Sequence, residues 1–233
     1  MTFFGLDPQS IAERAHAAAP AHVSTCGKSV LRGTIGFTLL GLAGFAPWAM
    51  GLSRALGEGG MYSACAIVFV VLSGPLLHRL VIGPHSLARF YKLFTLAYVS
   101  YAVIWCAVWF GLPFKGNDYL GLALGTAAFG WIVASAFGAR GAALKIIAVL
   151  IVLHALGYAL GGWLYSIYKA HSLFEFIGVM LDSPTRSTTA RLLWGFGYGL
   201  GFGAGIGYAF HVCQEEARAL IAASPTTQNP IAK

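Results

Sequence analysis

The 233-residue sequence predicts an all-α integral membrane protein, a six-transmembrane-helix bundle with a glycine-zipper last helix. Three observations lead there. Hydrophobic residues make up 58% of the chain and charged residues only 10%, where an average soluble domain carries roughly 25% charge. Six stretches free of Asp, Glu, Lys and Arg are each long enough for one spanning helix, which needs about 20 residues. Glycine occupies every second position from Gly195 to Gly207. This composition argues against soluble and disordered chains, and the net charge of +7 is assigned below to membrane topology, so no nucleic-acid partner is expected. The six stretches are apolar on all sides, whereas strands of a membrane barrel alternate lipid and lumen faces, so a β-barrel is not expected either.

The elements follow in chain order. Residues 1–28 read as a cytoplasmic N-terminal segment. Ser10-Ile11-Ala12-Glu13 fits a capping box, predicting a short amphipathic helix from Ile11 to Pro20 on the inner membrane surface. No apolar core after a basic start marks a secretory signal. The membrane domain, 29–214, holds spans at about 33–53, 59–78, 93–114, 119–139, 146–168 and 192–214, each bounded by the nearest charges, such as Arg32 and Arg54 for the first and Arg191 and Glu215 for the last. Pro47 and Pro75 are expected to kink the first two spans. Between Lys169 and Arg191, the apolar stretch 172–181 is too short to cross and is read as interfacial or re-entrant. Residues 215–233 read as a cytoplasmic tail, frayed after Arg218.

Orientation comes from the basic residues. Five of the fifteen (Arg54, Lys115, Lys169, Arg186 and Arg191) fall on one side of the spans and the other ten on the side of both termini. Lys and Arg near helix ends stay in the cytoplasm, so both termini are expected there, in a cell membrane of the bacterial inner-membrane type. Most tryptophans fall toward the outer helix ends, as an interfacial belt would.

The alternating glycines of the last span look like a strand on paper, but a lone strand cannot cross lipid with its backbone groups unpaired. As a helix they sort into two ridges at i, i+4 spacing. One carries Gly195, Gly199, Gly203 and Gly207, the other Gly197, Gly201 and Gly205, and at 100° per residue they start about 200° apart. Each glycine costs about 1 kcal/mol of helix propensity, so close backbone packing has to compensate. Gly121 with Gly125, and Gly157 with Gly161, are the expected receiving surfaces, and a ridge left over is a surface for a homo-oligomer. The glycine run followed by Cys213-Gln214-Glu215 resembles the glycine-rich second span of the small mitochondrial cristae-junction subunits. That resemblance is confined to this span and implies self-association and membrane bending.

No charged residue lies inside any span, which argues against a buried carboxylate relay and against metal-assisted hydrolysis within the bilayer. Histidine remains. His154 falls near the middle of the fifth span, with Tyr158 one turn along, and the pair is the candidate substrate-binding site. His78 and His211 lie near the cytoplasmic ends of their spans, where a haem or metal could sit between them; no other cofactor is expected. His85 with Arg79, Arg89 and Lys92 forms a basic cytoplasmic rim, read as a solvated loop or as a seat for phosphate or anionic lipid. The four cysteines show no paired spacing and read as small fillers. Hydrolase, nucleotide-loop and zinc-protease motifs are absent, and no catalytic residue is named. The sequence therefore points to a small permease or channel-like protein for a neutral or weakly polar solute. The alternatives are a scaffold subunit associating through the glycine ridges and a haem-bearing electron carrier.

Overall fold

A computed structural model describes residues 4–17, 24–170 and 181–223. Among these the chain forms eight α-helices and two short 3-10 turns, His78–Leu80 and Arg140–Ala142, and no strand. The helices are α1 (Pro8–His16), α2 (Cys26–Ala49), α3 (Ser53–Leu77), α4 (Ser86–Gly111), α5 (Asn117–Ala136), α6 (Ala143–Ala170), α7 (Ser183–Cys213) and α8 (Glu215–Ala223). The stretch 172–181 lies, apart from Leu181, outside the described residues.

Five helices, α2 to α6, are long and apolar enough to cross a membrane. Their outward faces carry Ile35, Leu39, Ile67, Val103, Leu124 and Val152 at 48% exposure or more. In water such a belt would drive aggregation, and in a bilayer it is ordinary lipid-facing surface. α7 is longer than any of the five, but its glycines add length without hydrocarbon and dilute its hydropathy.

Local sequence explains the helix ends. α1 starts three residues earlier than expected because Asp7, not Ser10, is the cap. The Asp7 carboxylate accepts from the Ser10 amide at 3.0 Å, and Pro8 fills the first helical position. Its face of Ile11, Ala12 and Ala15 is buried within the protein, α8 being its main neighbour, where the sequence suggested the membrane surface. α8 itself stands where a frayed tail was expected after Arg218. Glu215 and Glu216 sit in its first turn, favourable at a helix N-terminus, and its alanines are strong helix formers.

α2 continues through Pro47 to Ala49. Its last carbonyls are taken by α7, since Arg191 donates to Trp48 O at 2.8 Å and Thr188 to Ala49 O at 3.3 Å. α3 kinks at Gly57, whose φ of 68° lies in the left-handed region. Further along, Pro75 has no N–H for the carbonyl of Val71, and the Tyr91 hydroxyl of α4 donates to that carbonyl instead. Gly74 gives the Tyr91 ring room, as a Cβ there would collide with it.

α7 lies between α2 and α6, antiparallel to both. Residues 195 to 207 run against Gly41 down to Ser29 on one side and against Gly161 down to Leu150 on the other. α4 pairs with α5, and α3 leans on α2 and α4. α1, α8 and the turn around Gly138 gather at one end of the bundle, where Pro8 approaches Gly138. We call this the terminal end and the opposite one the far end. At the centre, Phe37, Phe94, Phe129 and Phe202 are all fully buried, with ring centroids 5.1 to 6.4 Å apart in successive pairs.

Candidate functional site

The site is built outward from α7, whose sequence gives it three faces. On the first, Gly195, Gly199, Gly203 and Gly207 meet α2. A Cβ on Gly199 would stand 2.6 Å from Thr38 Cα, and one on Gly203 would stand 2.5 Å from Gly33 O. On the second, Gly197, Gly201 and Gly205 meet α6, and a Cβ on Gly201 would stand 2.6 Å from Gly157 Cα. Real Cβ contacts essentially never come below 3.0 Å, so only hydrogen fits at these positions. The third face presents Tyr198, Phe202 and Phe210 to the aromatic core.

Gly157 and Gly161 thus lie against α7, whereas Gly121 and Gly125 do not. They face Trp105 and Tyr101 of α4. The surface that sequence reasoning missed is on α2, where Gly33 and Gly41 are eight residues apart with Phe37 between them. Phe37 turns its side chain into the core and leaves its carbonyl toward Gly199. A search for small residues at multiples of four would have found it.

His154 on α6 is fully buried. Its Nδ1 pairs with the Thr126 hydroxyl of α5 at 2.8 Å. Its ring stacks on Phe202 with centroids 4.0 Å apart and planes 6° apart, and meets Tyr198 edge-on at 5.0 Å. Nε2 has no partner among the described residues. His154 therefore ties α5 and α6 to α7 beside the aromatic core. Thr126 left a signal in the sequence, as the one hydroxyl in the middle of an otherwise apolar span.

Tyr158, one turn toward the far end, has different surroundings. Its hydroxyl donates to Asp118 Oδ2 at 3.2 Å, and it forms part of the wall of a partly open cavity of about 310 Å³ between α2, α3, α4, α6 and α7. The lining is mostly aromatic. Trp48 and Trp194 stand on one side, Tyr62, Trp105 and Trp109 on another, and Tyr98, Tyr101 and Tyr198 on a third. Tyr98, Tyr101 and Tyr198 interact with one another, Tyr198 being the shared partner. The Trp194 indole N–H is buried without an acceptor among the described residues, on the ring edge that faces Gly161 and Gly162 of α6. His154 does not line this cavity, and Tyr101 and Tyr198, which both contact its ring, do.

The two histidines considered for haem have different surroundings. His211 lines a separate cavity at the terminal end, and His78 is not part of that lining. The His78 Nδ1 pairs with Gly74 O at 2.9 Å. Among the described residues no group of three or more His, Cys, Asp or Glu is placed to hold a metal ion.

Fold and site together define an all-helical protein, among the described residues, with five rods long and apolar enough to cross a membrane and an aromatic cavity among the helices. Comparison with known protein families, with curated proteins and with solved structures finds no match.

Proposed function

We propose that this chain is a six-span membrane protein that carries or conducts a neutral or weakly polar, largely apolar solute through the aromatic cavity. The observation that carries the reading is that cavity itself, of a size suited to a small ligand and lined mostly by rings. Such a wall favours a flat, uncharged molecule that can stack on rings.

The sixth span is α7. α1 and α8 pack on each other at one end of the bundle, and a chain that leaves and returns to one side crosses an even number of times. Its 31 residues reach about 46 Å at 1.5 Å per residue, beyond the roughly 30 Å of bilayer hydrocarbon. The basic majority at the terminal end supports a cytoplasmic position for it, and an inner-membrane location. We read the two ridges of α7 as an intramolecular glycine zipper. Both are covered by α2 and α6, so association of copies through them would require the bundle to open.

The test uses the full chain in zwitterionic nanodiscs, with tryptophan fluorescence titrated by neutral aromatic ketones of increasing size. Saturable quenching is expected, abolished by Ala102→Phe, which fills the cavity from α4. Counterflow of the bound ketone in proteoliposomes then separates carriage from binding alone. Absence of saturable quenching, or quenching and flux that Ala102→Phe leaves unchanged, would overturn the reading.

A further inference from the structure

A second cavity, of about 460 Å³, opens at the terminal end, well apart from the aromatic one. Its chemistry is the opposite. Lys28 and Arg32 from the first turns of α2, Arg79 from the turn after α3, and Arg218 from α8 all line it, and no Asp or Glu does. Four cations of one sign around one space repel each other, and that cost is relieved when an anion sits between them. The Arg218 guanidinium feels the burial, which pulls its pKa below the ordinary range, with Glu215 opposing the shift.

The wall is built to hold its shape. Gln214, only 1% exposed, donates from Nε2 to Leu80 O and Phe210 O and accepts the Ile82 amide on Oε1. It thereby clamps the turn that carries Arg79 to the junction of α7 and α8. Arg32 donates to Arg79 O at 3.1 Å and Arg218 to His211 O at 2.7 Å. Each guanidinium is thus anchored by one nitrogen and keeps further N–H groups for an oxyanion. The hydroxyls of Ser29 and Ser86 add neutral donors to the lining, and Ser86 is the first residue of α4, whose N-terminus favours negative charge.

We propose that this basic cavity binds a phosphate group, brought either by the headgroup of an anionic phospholipid or by a soluble phosphate compound. A planar guanidinium matches phosphate oxygens in pairs, and three of the four cations here are arginines. The cavity lies where the basic helix ends gather, at the level expected of lipid headgroups if the helices span a bilayer.

The test compares the wild-type chain with Lys28→Gln/Arg79→Gln. Neither of these side chains makes a hydrogen bond recorded among the described residues, so the pair removes charge without breaking a protein contact. Arg54→Gln, exposed at the far end, controls for loss of a positive charge away from the cavity. In one arm, phosphatidylglycerol is titrated into phosphatidylcholine nanodiscs; in the other, inorganic phosphate and pyrophosphate are titrated at fixed ionic strength against pure phosphatidylcholine discs. Thermal stabilisation and the lipids retained in native mass spectrometry are read in both. Saturable binding in at least one arm is expected, weakened about tenfold or more by Lys28→Gln/Arg79→Gln, unchanged by Arg54→Gln, and falling as salt rises. The arm that responds identifies the source. Lack of saturation in both arms, or equal binding by wild type and the double variant, would overturn the proposal.

Discussion

Gly201→Ala adds one methyl group at the tightest part of the α6–α7 contact. Its Cβ would stand 2.6 Å from Gly157 Cα and closer still to Leu153 O, against the 3.4 Å at which ordinary contact begins. The shortfall at Gly157 is about 0.8 Å, and both neighbours are backbone, so no side chain can rotate away. α6 and α7 must separate by a comparable amount along the ridge and lose the dispersion contacts of the glycines on either side. Overpacking of this kind costs about 1–3 kcal/mol, and the shared backbone on both sides puts this case at the upper end. Alanine returns about 1 kcal/mol of helix propensity, leaving a net loss of about 2 kcal/mol. Gly59→Ala is the matched control, because a Cβ there meets nothing within 4 Å and only the propensity gain remains. Tryptophan-fluorescence melts in detergent should show Gly201→Ala melting lower than wild type and Gly59→Ala equal or higher, with both proteins monodisperse. If the two variants melt alike, the close approach of α6 and α7 is wrong. If Gly201→Ala instead dissociates an oligomer and leaves the monomer's melt unchanged, the ridge faces another copy of the chain.

Thr126→Val should cost about 1–2 kcal/mol in the same melts by leaving His154 Nδ1 without its partner. In a double-mutant cycle with His154→Phe the combined variant should lose less than the sum of the two, and strict additivity would exclude the pairing. Tags at residue 1 and residue 233 should be reached by a membrane-impermeant label from the same side of the membrane. Labelling from opposite sides would remove α7 as a sixth span.

The helical rods were legible because charge is expensive in lipid and its absence is easy to see. Their ends were not, since the flanking charges ride on the helices themselves. Lys28 and Arg32 lie within α2, Arg89 and Lys92 within α4, and Arg186 and Arg191 within α7, reaching out to carbonyls or to the polar ends of the bundle. Glycine spacing marked where backbones can come close and left the neighbour open. Gly121 and Gly125 satisfy the same pattern as Gly157 and Gly161, yet meet α4 at Trp105 and Tyr101, main chain and ring alike, and not α7. His154 stood out as the lone imidazole at mid-span, but whether it meets a solute depends on Tyr101 and Tyr198, which come from two other helices. A cavity made by the crossing of five helices leaves no local periodicity in any one of them.

The bundle divides by the kind of contact that holds it. α2, α7 and α6 touch largely through main-chain atoms, with side chains such as Phe45, Leu150 and Trp194 entering at a few of the glycines, and such contacts keep their register or separate outright. α3 and α4 meet their neighbours near the cavity through rings. Phe69 lies between Phe37, Phe45 and Tyr98, and Tyr62 rests on Trp105 and Phe110. α3 also carries its kink at Gly57, near the far end where Tyr62 and Met61 join the cavity wall. Under the proposed function, exchange of an occupant would fall to α3 and α4 moving against the slab of α2, α7 and α6, with Gly57 as the hinge. Beyond the cavity the fully buried rings of Phe37, Phe94 and Phe202 fill the space between α2, α4 and α7. If a solute passes through as proposed, leaving toward the terminal end requires it to displace this layer, and the barrier would then sit in these side chains and not in the glycine contacts.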